Sequence, residues 1–137
     1  MGRWGPNEHL LSIQVEQCDG WARIRLAGEL DMSGRDRFEQ ALIAAETHGS
    51  RAVLVDLSHV VFMDSSALGV LLGAHDRASK AAQKLVVRGA GGEVWRLIQL
   101  AGAHDVFDGA ELLDFPDLPG EYSQWQPVLI PDGELDG

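Results

Sequence analysis

Asp64-Ser65-Ser66 is the cluster in this chain whose residue types and spacing could do chemistry. It follows a strand-like run, Val53-Leu54-Val55-Asp56-Leu57, and opens the apolar stretch Ala67-Leu68-Gly69-Val70-Leu71-Leu72. Serine and aspartate at a helix start accept hydrogen bonds from N–H groups that lack an intrahelical partner, so one role here is an N-cap. The other role is chemical. A serine hydroxyl exposed at a helix N-terminus can carry a phosphate, because the free N–H groups and the macrodipole both favour an anion there. The two roles are compatible, and phosphorylation would change the surface while leaving the fold in place.

The surrounding pattern supplies the elements that must position this cluster. Leu11 to Glu16 alternates with period two, Asp19-Gly20 has hairpin-turn chemistry, and Trp21 to Leu26 alternates again. Ser33 is placed to cap a helix over 34–47, with Phe38, Ala41, Leu42 and Ala45 on one face and Gly49 as its stop. Val53 to Leu57 is continuously apolar but for Asp56, as expected of a central strand. A helix over about 66–80 puts Leu68, Leu71, Leu72 and His75 on one face. Leu85 to Val87 is a short strand, Glu93 to Ala101 a helix turned inward at Val94, Leu97, Ile98 and Ala101, and Asp105 to Phe107 a last short strand. Strands alternating with helices behind an opening hairpin predict a single α/β domain with a mixed, mostly parallel sheet of four to five strands.

Phe62-Met63-Asp64-Ser65-Ser66-Ala67-Leu68-Gly69-Val70-Leu71, preceded by Asp56-Leu57-Ser58, resembles the phosphorylation segment of the STAS domain in bacterial anti-sigma-factor antagonists. Ile24 to Asp31 resembles that family's second strand and its Gly-Glu-Leu-Asp turn. Leu85-Val86-Val87 and Val94 to Gly102 resemble its fourth strand and third helix. The likeness runs from about Leu11 to Phe107. It implies that Ser65 is the phosphate acceptor and that Asp31, Asp64, Ser65, Ser66 and Leu68 belong to the partner-binding surface. It also implies a partner, an anti-sigma factor that is itself a serine kinase and holds ATP and magnesium, and a phosphatase that resets the switch. A homodimer is left open. The residues themselves leave alternatives: Ser66 as cap or first-turn residue, Asp64 as cap or as orienter of the serine, Asp31 as an Asx-turn residue, Asp56 as a strand-end acceptor.

Two departures from the family pattern stand out. Ala67 replaces the usual glycine. In place of a full closing helix the chain offers only Gly109-Ala110-Glu111-Leu112-Leu113 before prolines arrive, so Tyr122 to Ile130 could cover the vacated surface.

Composition divides the 137 residues in the same place. Residues 1–96 hold 12 acids and 11 bases, net −1, whereas 97–137 hold 9 acids and no Lys or Arg, net −9. Prolines are absent between Pro6 and Pro116, then occur at 116, 119, 127 and 131. The expected division is an extension at 1–10, the domain at 11–115 and an acidic tail at 116–137, docked on the domain or kept for a partner. Such a tail repels nucleic acid and anionic membrane; it either serves solubility as a solvated segment, the simpler reading, or steers toward a basic protein partner.

No apolar run reaches membrane-spanning length, and one cysteine, Cys18, fits a reducing cytoplasm. The five histidines, His9, His48, His59, His75 and His104, lack metal-ligand spacing, and Gly89-Ala90-Gly91-Gly92 lacks the Gly-Lys-Ser/Thr ending of a phosphate loop. No cofactor, metal or enzymatic activity is expected. The rival readings are a STAS scaffold subunit of a stress-sensing assembly or lipid-transport ATPase and, further off, a serine hydrolase. The hydrolase would need a histidine base within reach of Ser65, and no Gly-x-Ser-x-Gly elbow is present.

Overall fold

The computed structural model describes residues 11–107 and 117–130. The opening hairpin joins β1 (Leu11–Cys18) to β2 (Trp21–Leu30), and a 3-10 turn (Met32–Gly34) leads into α1 (Arg35–His48). Then come β3 (Ala52–Met63), α2 (Ser65–Lys80), β4 (Lys84–Arg88), α3 (Gly92–Leu100), the short α4 (His104–Phe107) and β5 (Gln126–Pro127). The five strands form one mixed sheet in the order β4-β3-β2-β1-β5, parallel across β2-β3-β4 and antiparallel across β2-β1-β5. Asp19 and Gly20, with φ of 50° and 84°, give the hairpin the two left-handed residues that match strand twist.

Side-chain alternation gives the sheet two unlike faces. On one, Val15, Ile24, Leu26, Val53, Val55 and Leu57 meet Phe38, Ala41, Leu42 and Ala45 of α1 and Leu68, Leu71 and Ala74 of α2. On the other, Trp21, Ala52, Leu54 and Val86 form a smaller apolar strip at the end where β2, β3 and β4 begin. Leu118 and Trp125 from the acidic tail lie on that strip.

Several expectations are corrected. β3 runs on to Met63 instead of stopping at Leu57, because two register shifts against β2 each insert an extra β3 residue. Bulges of this kind break the alternation that a strand is read from. Gly28, Glu29 and Leu30 belong to β2 and form no turn. Ser33 caps nothing: Asp31 caps the 3-10 turn, and Gly34 precedes α1 with no side-chain cap. Ala101 is exposed, leaving α3 to bury Val94 and Ile98. Asp105 to Phe107 is helical, with Phe107 packed edge-on against His75 at 6.0 Å. The fifth strand comes from the tail instead. The extension 1–10 and the stretch Gly109 to Leu113 lie outside the described residues.

Candidate functional site at the start of α2

Asp64 is the N-cap of α2, in extended backbone (φ −105°, ψ 177°), with Ser65 as the first helical residue. Its Oδ1 accepts from the Ala67 N–H at 3.1 Å and from the Ser66 hydroxyl at 2.7 Å. The Met32 N–H also donates to this carboxylate. The Asp64 N–H in turn donates to the Leu30 carbonyl at 3.2 Å. One aspartate thus closes the helix start and ties it to the far end of β2. Burial pushes its carboxyl pKa up, but the Ser66 hydroxyl and the Ala67, Met32 and Ser66 N–H groups more than offset this, holding it below the ordinary value. Asp64 is therefore ionised at neutral pH.

The same device recurs nearby. Asp31 Oδ1 accepts from the Ser33 N–H at 2.9 Å and the Ser33 hydroxyl at 2.6 Å, and Asp56 Oδ1 holds Ser58 in the same way. In each Asp-x-Ser unit the serine two residues on is bound. Ser65 is the residue between. It is exposed, and its hydroxyl has no hydrogen-bond partner among the described residues. Asp64 consequently orients Ser66, not Ser65.

The rim of the site is apolar. Met32 is 72% exposed and Phe62 45% exposed, one bonded to Asp64 through its backbone and the other two residues ahead of it. Along α2 from Ser65, at helical i+4 spacing, lie Gly69 and Gly73. A Cβ at Gly69 would touch nothing within 4 Å, and one at Gly73 only the end of Arg77 at 3.7 Å. Packing does not require these glycines, although each costs a helix interior about 0.5–1 kcal/mol relative to alanine. They keep a lane beside Ser65 bare.

The expected site residues are thus largely brought together: Asp31, Asp64, Ser65 and Ser66 lie around one corner, joined through Met32. Leu68 is not part of that surface. It is 3% exposed and its side chain belongs to the helical core, a consequence of the same i, i+3 pattern that makes α2 amphipathic. Met32 and Phe62 were missed, because a lone exposed hydrophobic residue carries no periodic signal. Among the described residues no histidine bonds to Ser65, and His75 lies ten residues along α2, about 15 Å at helical rise. Among the described residues no group of three or more His, Cys, Asp or Glu could hold a metal, and no helix is long and apolar enough to cross a membrane. The Cys18 thiol is pushed up by desolvation and by neighbouring Asp19, away from the reactive thiolate.

A mixed sheet with an opening hairpin, helices on one face and an Asp-Ser-Ser helix start at the end of a parallel strand defines a STAS domain. A family profile described as Mlab, STAS domain matches residues 13–114, and the chain belongs to that family. An anti-sigma-B factor antagonist of Staphylococcus aureus (strain NCTC 8325 / PS 47) is 27% identical over 96 residues, covering 70% of this chain and 89% of the relative. The crystal structure of an anti-sigma factor antagonist from Mycobacterium paratuberculosis superposes with a TM-score of 0.63 at 30% identity, covering 75% of this chain and 86% of that one. The Bacillus cell fate determinant SpoIIAA in its phosphorylated form shares the fold at 22% identity and a TM-score of 0.59, over 77% of this chain and 97% of that one.

Proposed function

We propose that this protein is an anti-sigma-factor antagonist whose binding is switched off by phosphorylation of Ser65. The observation that carries the reading is the exposed Ser65 hydroxyl, without a hydrogen-bond partner among the described residues, beside an already completed cap. The helix does not need Ser65, so modifying it leaves the fold standing. The similarity to named anti-sigma factor antagonists supplies the partner class. Unphosphorylated, the protein binds the anti-sigma factor through the corner of Asp31, Met32, Phe62, Ser65 and the bare lane along α2, and the sigma factor is released.

The modifying enzyme is the anti-sigma factor acting as a serine kinase. Ser65 Oγ attacks the γ-phosphorus of ATP, the bond to the departing ADP oxygen breaks, and the hydroxyl proton passes to a base on the kinase. Phosphoserine brings about −1.5 to −2 charges. Beside the ionised Asp64 it turns a largely apolar corner strongly anionic. At roughly 6 Å from a partner carboxylate the repulsion spans about 1 kcal/mol in water to about 5 near a protein surface. This corresponds to about fivefold to several-thousandfold in affinity. A phosphatase restores the binding form by hydrolysing the ester.

Phosphopeptide mapping after incubation with a cognate anti-sigma kinase and ATP tests the assignment. Label is expected in wild type and Ser66→Ala and absent in Ser65→Ala. Label that survives Ser65→Ala and disappears in Ser66→Ala moves the acceptor and removes the argument.

A further inference from the structure

The helix-free face of the sheet carries a second surface, far from Ser65. Trp21, Ala52, Leu54 and Val86 form its apolar floor, where β2, β3 and β4 begin, whereas Ser65 follows the end of β3. Three arginines surround the floor. Arg23 is only 5% exposed. Its guanidinium bonds Glu16 at 2.8 Å and Glu121 at 3.3 Å, and it stacks on the Trp125 ring 4.1 Å from the centroid. Arg25 lies 3.6 Å from Glu121 Oε2, and Arg51 lies 2.6 Å from Asp117 Oδ2.

The occupant is built as a separate plug. Residues 120–125 turn on themselves, with the Ser123 N–H donating to Gly120 O at 3.1 Å and the Trp125 indole N–H to the same carbonyl at 2.9 Å. With Asp117 and Leu118 just before it, the plug meets the floor through Leu118 and Trp125 and the arginines through Asp117 and Glu121, and Val128 just after it is 8% exposed within the main core. Only Gln126 and Pro127 pair with β1, followed by one bond from the Val128 N–H to Val15 O at 2.8 Å. Tyr122 and Leu129 point away, 99% and 88% exposed. The segment also lies beyond residue 114, where the family match ends.

An aromatic and aliphatic floor rimmed by arginine has the composition of a protein-interaction hot spot. Strand pairing on the β1 edge is a recurrent way to hold an extended peptide. We infer that this face is a docking surface for an acidic, indole-bearing extended peptide of a partner protein, and that residues 117–128 occupy it in cis as a displaceable cover. The surface is independent of Ser65. The partner peptide presents two carboxylates to Arg23, Arg25 and Arg51 and an indole to the floor, and it displaces the cover. Asp117, Glu121 and Arg51 are exposed and Arg25 partly so, and salt therefore weakens the polar part of this hold, while Leu118, Trp125 and the core residue Val128 supply its apolar part.

The test uses the full chain and a fluorescein-labelled synthetic peptide of residues 117–130 as the probe. Asp117→Arg/Glu121→Arg/Trp125→Ala opens the cover. A site blocked in cis loses apparent affinity in proportion to its closed fraction. With a closed fraction of about nine-tenths, the opened variant binds the probe about tenfold more tightly than wild type, and adding Arg51→Glu reverses the gain. On wild type, hydrogen exchange at the Val128 amide and the Trp125 indole is expected to accelerate between low and high salt while amides of α1 and α2 stay protected. A folded opened variant that fails to bind the probe overturns the inference. An opened variant that unfolds overturns it too, because residues 117–128 are then part of the core. Exchange at Val128 that moves only in step with α1 and α2 has the same meaning. A concentration-dependent wild-type dimer that protects this face reassigns it to a second copy and overturns the partner named here.

Discussion

The two ends of the sheet are finished by different kinds of contact. Where β3 ends, the side-chain caps are local, Asp64 reaching residues 66 and 67 and Asp31 residue 33, with only backbone groups of Leu30 and Met32 tied to Asp64 from farther along the chain. Where β2, β3 and β4 begin, the closing contacts cross the chain: Trp21 donates to Asp117 over a separation of 96 residues, and Arg23 to Glu121 over 98. Local capping completes itself within one turn and can leave a neighbouring group, Ser65, free for chemistry. Long-range closure must instead offset the entropy of ordering a separate segment, and it does so with a modest set of contacts. The first end is therefore suited to covalent modification and the second to exchange of one segment for another.

The largest expected effect on partner binding lies at the Ser65 end. Ser65→Asp is predicted to weaken anti-sigma-factor binding, with about threefold loss as the lower bound from a single added charge. Its thermal midpoint should stay close to wild type, because a negative group in the first helical turn is tolerated or worth about 0.3–1 kcal/mol. Titration calorimetry beside a thermal melt separates the two readouts. A large drop in melting temperature would make Ser65 structural and erase the contrast between the ends.

The largest expected effect on stability belongs to the other end. Leu54 is 2% exposed and sits on the floor beneath the cover. Leu54→Ala is expected to destabilise the fold by about 2–5 kcal/mol, as deletion of a buried leucine side chain does elsewhere. Urea unfolding measures this. A loss well under about 1 kcal/mol would mean that the floor is not packed as described.

Legibility in the sequence follows the same divide. The hairpin, α1, α2, β4 and the Asp64-Ser65-Ser66 helix start were all readable, because each signal lies within a few residues. The bulges that carry β3 on to Met63 were not, since an inserted residue erases the period-two pattern. Asp31 takes the Asx-turn place that its type allows, whereas Ser33 was misread as a cap, because its hydroxyl is taken by the Asp31 carboxylate. The acidic tail's charge was read as serving solubility or a basic partner, and only its apolar residues as able to dock. Two of its carboxylates, Asp117 and Glu121, find that base in Arg51, Arg23 and Arg25 of the same chain, a pairing that composition cannot display.

A smaller effect sharpens the role of Asp64. Asp64→Ala removes the cap and should cost about 0.5–2 kcal/mol. The pH dependence has a definite sign. The folded carboxyl titrates below its ordinary value, so its contribution is present above the unfolded value and is lost as pH falls through the folded one. Wild type and Asp64→Ala should therefore differ in stability at neutral pH and converge in strong acid. Parallel denaturation curves at the two pH values check this, and a difference that persists in acid would mean that the mutation acts through packing and not through the ionised cap.

The smallest expected effect is at Glu121, and it tests whether charge or packing holds the cover. Glu121 is 55% exposed, and its two arginine contacts, at 3.3 and 3.6 Å, are at the long end for ion pairs. An exposed pair of this kind contributes about 0.2–1 kcal/mol, falling with ionic strength. Glu121→Gln keeps the shape and removes the charge. Its effect should lie in that range at low salt and fade as salt is raised, because screening has already weakened the pair in wild type. Arg23 complicates the comparison usefully. It is nearly buried, and Glu16 remains to pair with it at 2.8 Å after Glu121 is neutralised, so no guanidinium is stranded. A loss of several kcal/mol would therefore have to come from somewhere other than the exposed ion pair. It would make residues 117–128 a cooperative part of the fold, and the difference drawn between the two ends of the sheet would collapse.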